Sequence, residues 1–99
     1  MIHVLAIVTA KKGQRSKALE IFKANVPAVH AEDGCIEYTP VVDVDDAKTA
    51  FGEDTFVVVE KWRDRDALKA HAAAPHMKAY SEKVREFIES TAVHVLQQA

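Results

Sequence analysis

The chain has 99 residues, 48% hydrophobic and 28% charged, with only 3 glycines and 3 prolines. That is one domain's worth of sequence, and the composition excludes a collagenous, low-complexity or wholly disordered chain. Thirteen basic residues stand against 15 acidic ones, a formal net charge of -2, without the basic surplus of a nucleic-acid binder.

Residues Ile2 to Val8 form a short, β-branched, almost unbroken apolar run, which predicts a strand. Lys12-Gly13-Gln14 supplies a turn. From about Gln14 to Glu32 the apolar residues Ala18, Leu19, Phe22, Val26 and Val29 fall on one helical face. Pro27 lies inside that pattern, so a kink or a hand-over between two helices is expected there. Asp33-Gly34 ends the helical stretch, the glycine suiting a left-handed terminus.

Cys35 to Val44 reads as a second strand, with Pro40 pointing to an edge or a bulge. Asp43 to Asp54 is polar, contains Gly52 and reads as a loop that could act as a lid. Thr55 to Trp62 is the clearest strand in the chain. Asp64 is a good N-cap for a short helix through about Ala73. Pro75 suits the first turn of a further helix to about Ser90, with Met77, Tyr80, Val84, Phe87 and Ile88 on one face. Thr91 to Leu96 closes as a strand. The order is βαββαβ with a split second helical region, which predicts a ferredoxin-like α+β sandwich in a single domain, 1–99.

Patterning alone carries one further expectation. A sheet with helices on one face should alternate apolar and polar residues. The first strand and the Phe56–Val59 stretch are apolar on both faces. Two helices cannot cover both faces, so the second sheet face is expected to meet another copy of the chain in a homodimer.

The single cysteine, Cys35, cannot form an internal disulfide. No apolar run approaches the roughly 20 residues that span a bilayer, and Met1-Ile2-His3-Val4 lacks the basic region of a secretory signal. The expectation is a soluble cytoplasmic protein with neither a membrane nor a nucleic-acid partner. His3, His30, His71, His76 and His94 form no metal signature: His71 and His76 are five apart, not the i, i+4 pair that shares a helical face. The glycines are scattered, so no phosphate loop or nicotinamide or flavin fingerprint exists, and no cofactor is expected.

The informative stretch runs from Glu60 to Tyr80. Glu60 and Trp62 share one strand face with Phe56 and Val58, and a carboxylate there is costly unless it is paired or has a task. It either meets an arginine at the rim or works in a site. His71, on the inward side of its helix, is either a core histidine bonded to backbone or a neutral imidazole facing a pocket. His76 and Tyr80 stand i, i+4 on the last helix; Tyr80 and Tyr38 are core residues or ligand contacts. His3, His94 and Cys35 read as interface or packing residues.

Gly34-Cys35-Ile36-Glu37-Tyr38, then Glu60-Lys61-Trp62, Ala70-His71 and Pro75-His76-Met77-Lys78-Ala79-Tyr80 together resemble the antibiotic-biosynthesis-monooxygenase (ABM) family, in its small quinol-monooxygenase branch. The resemblance runs from the first strand to Val95-Leu96-Gln97. It implies a ferredoxin-like protomer, a dimeric α+β barrel, a pocket between sheet and helices, and oxidation of phenolic or quinol substrates by O2 without metal or flavin. Relatives that degrade haem use an Asn, Trp and His set; here the first strand has no asparagine and Trp62 belongs to a strand, which counts against that chemistry.

The reading of the residues is a cofactor-independent monooxygenase with O2 as co-substrate. Phe22, Trp62 and Tyr80 would line an apolar pocket and His71 would be the base. Glu60 would orient His71 or bind the opposite hydroxyl, and His76 or Tyr38 would donate to the developing anion. The rivals are a non-catalytic quinone-binding module, an isomerase using the same acid–base pair without oxygen, and a purely structural assembly subunit.

Overall fold

The computed structural model describes all 99 residues. The elements are β1 (Ile2–Ala10), α1 (Arg15–His30), β2 (Cys35–Val41), β3 (Thr55–Trp62), α2 (Arg65–Ala73), α3 (Pro75–Val84), a 3₁₀ turn (Arg85–Phe87) and β4 (Ile88–Leu96). The four strands form one sheet in the order β2-β3-β1-β4, every neighbouring pair antiparallel. This is the ferredoxin-like α+β fold predicted from the pattern. No helix is long and apolar enough to cross a membrane.

Alternation along β1 decides which side chains meet the helices. Ile2, Val4, Ala6, Val8 and Ala10 are buried on the helix side, and their β3 partners Trp62, Glu60, Val58 and Phe56 share that face. His3, Leu5 and Ile7 lie on the other face with Lys61, Val59 and Val57. On the helix side, α1 contributes Ala18, Phe22 and Val29 to the same core, as its spacing requires. The largest fully buried side chains are Trp62, Phe56, Val4 and Val29.

Local chemistry explains most element boundaries. Asp64 caps α2, its Oδ1 accepting from the Ala67 N–H at 2.8 Å, and these hydrogen bonds hold its carboxyl below the usual carboxylate range. Pro75 opens α3 in its first turn, where a missing N–H costs nothing. Gly34 sits at φ +85 and stands so close to α2 that an added Cβ would lie 2.5 Å from Ala67 Cβ. Arg63 N–H donates to the Gly34 carbonyl at 2.8 Å, fastening the end of the α1–β2 connection to the end of β3.

Four boundaries differ from the sequence reading. Pro27 does not divide α1, which runs unbroken from Arg15 to His30. The first strand extends beyond Val8 to Ala10, and β2 ends at Val41 rather than Val44. Pro40 does sit on an edge strand, but the register irregularity falls between Cys35 and Glu37. The last helix stops at Val84, not Ser90. Phe87 and Ile88 keep the helical spacing, but Ile88 pairs with Ala10, and the strand ladder outweighs the local helical pattern.

Candidate active site

The cavity lies between the helix-facing side of the sheet and α1, α2 and α3. It encloses about 530 Å³, within the range of small-molecule sites. Val4, Ala6 and Val8 form its floor, and Ala6 contributes room because only a methyl projects there. The pairing orients its length. Val4 lies opposite Glu60, while Val8 lies opposite Phe56 and Thr91. These two ends are about 13 Å apart at about 3.3 Å per strand residue. The Glu60 end also carries His71 and Tyr38; the Thr91 end carries Arg85.

His71 reaches this cavity from the last turn of α2 and is buried. Its Nδ1 lies 2.8 Å from Glu32 Oε2, across 39 positions of sequence. A carboxylate accepts from the ring there, so Nδ1 is the donor and Nε2 is the ring nitrogen left toward the cavity. Nε2 has no protein partner. The imidazole is sandwiched, with Trp62 at 4.6 Å between ring centroids and Tyr38 edge-on at 5.5 Å. The two aromatic contacts and the carboxylate behind fix the ring, an arrangement that suits an imidazole to proton transfer.

Glu60 is the second buried carboxyl. Trp62 Nε1 donates to its Oε1 at 2.9 Å, leaving Oε2 without a protein partner in the cavity wall. Burial raises its pKa, against the lowering by the Trp62 hydrogen bond and by attraction to His71. Tyr38 and Tyr80 also line the cavity, and burial raises both phenols, Tyr80 to about 12. They remain protonated donors over the ordinary pH range. Phe22 joins them, stacked on Tyr38 at 5.2 Å and edge-to-face with Tyr80 at 5.8 Å.

Of the predicted site residues, His71, Glu60, Tyr38, Tyr80 and Phe22 converge on the cavity. Trp62 does not: it is fully buried behind His71, where it is a wall for the imidazole and a donor to Glu60. His76 does not either. Its side chain turns to the far side of Glu32, with Nδ1 bonded to Asn25 Nδ2 at 3.2 Å. Glu60 does not orient His71 by a hydrogen bond; Glu32 does. Nor does the 42–54 loop close this cavity, because none of its residues line it. That loop is pinned by Asp43, which accepts from the Phe51 and Gly52 N–H groups at 3.1 and 2.9 Å.

Glu32 is the residue that sequence reasoning missed. It follows the last turn of α1 and reads as an ordinary polar helix terminus. Its only signal was position, two residues before a glycine that must pack closely on the helix bearing His71.

Fold and site together define a ferredoxin-like α+β domain whose apolar cavity is lined by an imidazole and a buried carboxyl. Residues 1–83 match the family model described as antibiotic biosynthesis monooxygenase, and the chain belongs to that family. It is 36% identical over 101 residues to the Escherichia coli (strain K12) protein named "Probable quinol monooxygenase YgiN", covering 98% of this chain and 97% of that one. Among solved structures, Rv0793 from Mycobacterium tuberculosis superposes with a TM-score of 0.82 at 28% identity, covering 99% of this chain and 94% of that one. SO0527 from Shewanella oneidensis gives 0.84 at 26% identity, covering 98% and 89%.

Proposed function

We propose that this protein is a cofactor-independent monooxygenase that oxidises a small quinol or related phenolic aromatic with O2. Family membership supports a monooxygenase-type activity, and the name of the Escherichia coli relative supports a quinol. The observation that carries the reading is the Glu32–His71 pair, whose unpartnered Nε2 faces an otherwise apolar cavity.

The chemistry asks little of the protein beyond position and a proton. His71 Nε2 removes a hydroxyl proton, and the resulting quinolate is electron-rich enough to reduce O2 by one electron. The radical pair combines to form a bond from a ring carbon to oxygen, and His71 returns its proton to the distal oxygen. The O–O bond then breaks as the ring carbon loses its hydrogen, releasing water and leaving a new carbonyl. The net change is quinol plus O2 to hydroxyquinone plus water, with all four electrons supplied by the substrate. Tyr38 and the free oxygen of Glu60 are placed to hold hydroxyl groups at this end, while the apolar walls exclude water.

The same reading includes a homodimer. Leu5, Val41 and Leu96 are exposed on the sheet face opposite the helices, next to Ile7 and Val59. Only a corner of that face is sheltered, where Val42 and Phe51 of the 42–54 loop flank a hollow of about 270 Å³. A second copy packed face to face would cover the remainder.

The test is oxygen uptake by metal-stripped protein given a reduced naphthoquinol, against its uncatalysed autoxidation, with ¹⁸O₂ as tracer. One labelled oxygen in the hydroxyquinone and one in water is expected. Hydrogen peroxide with unlabelled quinone would mean an oxidase, and binding without uptake a quinone-binding module.

A further inference from the structure

The mechanism uses one ring nitrogen pair of His71 and leaves a second imidazole unexplained. His76 is the second residue of α3, on the other side of Glu32 from the cavity. Its Nε2 is buried, makes no aligned hydrogen bond, and lies 3.1 Å from Glu32 Oε2, the same oxygen that takes His71 Nδ1 at 2.8 Å. Its Nδ1 lies 3.2 Å from the Asn25 amide nitrogen, which also reaches Met77 Sδ at 3.4 Å. Four side chains from α1, the α1–β2 connection, α2 and α3 thus form one row: Asn25, His76, Glu32, His71.

Donor and acceptor rules fix the hydrogens in that row. The Asn25 nitrogen is a donor only, so His76 Nδ1 must accept. A neutral imidazole that accepts at Nδ1 carries its hydrogen at Nε2, directed toward the carboxylate side. His71 then donates to Glu32 Oε2, while the Nε2–H dipole of His76 lies 3.1 Å from the same oxygen as an electrostatic contact rather than an aligned bond, so Oε2 has no room for a proton of its own. A relay through His76 to solvent would need the opposite tautomer, with a hydrogen on Nδ1 meeting the amide hydrogens of Asn25. The proposed reaction needs no exit for the proton either, because the proton that leaves the hydroxyl returns to the peroxide.

We propose that His76 is a positioning residue: as the Nε2–H tautomer selected by Asn25, it holds Glu32 on His71 and denies Glu32 the substrate's proton. The proton therefore waits on His71 Nε2, in the cavity, where the peroxide can recover it. This inference rests on the oxygenase reading for its kinetic consequence, but not for the tautomer.

Long-range ¹H–¹⁵N correlation spectra of the whole protein, with its five histidines assigned, read the tautomer directly. Hydrogen on Nε2 of His76 and on Nδ1 of His71 is expected; an Nδ1–H form or an imidazolium at His76 near neutral pH overturns the inference. Kinetics with a reduced naphthoquinol read the consequence. Misplacing a reacting group by about 1 Å can cost about 10²-fold, so a loosened rather than lost base in His76→Phe should lower kcat on the order of tenfold. KM should stay within about twofold, since His76 lies outside the cavity and uniform binding is untouched. His76→Gln, which keeps an N–H at that distance, should recover most of kcat. An unchanged kcat in His76→Phe, or an equal loss in both variants, overturns the clamp. If the parent protein oxidises no quinol, the oxygenase reading falls, and the spectra alone decide whether His76 is set as a donor to Glu32.

Discussion

The two faces of the sheet are built by the same strands and differ in what they ask of their side chains. The helix-facing side places Glu60, Tyr38 and the donor Trp62 among valines and alanines, and each polar group there has a partner or a wall of the cavity to face. The opposite side leaves Leu5 and Val41 exposed and Ile7 and Val59 half-buried, with Val57 alone among these buried. A buried polar group is tolerated where hydrogen bonds hold it, and an uncovered apolar face is tolerated where association covers it. One face therefore carries the cavity and the other an open apolar surface.

The sharpest break of that comparison is on the chemical face. His71→Ala should lower kcat/KM for quinol oxidation by about 10²- to 10⁴-fold, the usual value of a positioned base, while quinol binding followed by fluorescence quenching stays near the parent's. A loss under about threefold would remove His71 from the mechanism.

On the open face, Leu5→Glu should leave the protomer folded and weaken self-association on the order of 10²-fold, about 2.8 kcal/mol at 1.4 kcal/mol per decade. Sedimentation velocity measures it; a parent chain that sediments as a monomer at micromolar concentration would remove the dimer from the reading. Gly34→Ala tests how the chemical face is assembled. The positive φ and the 2.5 Å approach to Ala67 should cost about 1–3 kcal/mol in urea unfolding. Activity should fall further than stability explains, because Glu32 is displaced from His71.

The smallest effect is the pH dependence left by Glu60. Its folded pKa is raised by burial above the ordinary 4.5, so the native state binds its proton more tightly than the unfolded chain does. Stability is therefore lost as pH rises from about the unfolded value through the folded one, and the penalty persists above both. Glu60→Gln, which keeps an acceptor for Trp62 Nε1, should raise Tm at pH 7 by an amount that shrinks as pH falls toward 4.5. A Tm difference that grows on acidification would contradict that sign.

The site was partly legible before any coordinates. His71 and Glu60 stood out because a polar residue on an apolar face needs a reason, and that argument uses only local periodicity. Trp62 and His76 were misplaced because periodicity says which way a side chain leaves its own element and nothing about what lies beyond. His71 and His76 are wrongly spaced for one helical face, yet the break at Ala74-Pro75 brings both to the same carboxylate oxygen.

The sequence by itself determined the βαββαβ order, the cap at Asp64, the helix start at Pro75 and the apolar character of both sheet faces. Those are set within a few residues, by backbone hydrogen bonding, proline geometry and side-chain alternation. The tertiary structure alone decided that Glu32 holds His71, that His76 stands behind them, and that Ile88 joins a strand. These contacts join residues 39, 44 and 78 positions apart: Glu32 with His71, Glu32 with His76, and Ala10 with Ile88. No local pattern records such a pairing, because its energy exists only once the elements between have packed.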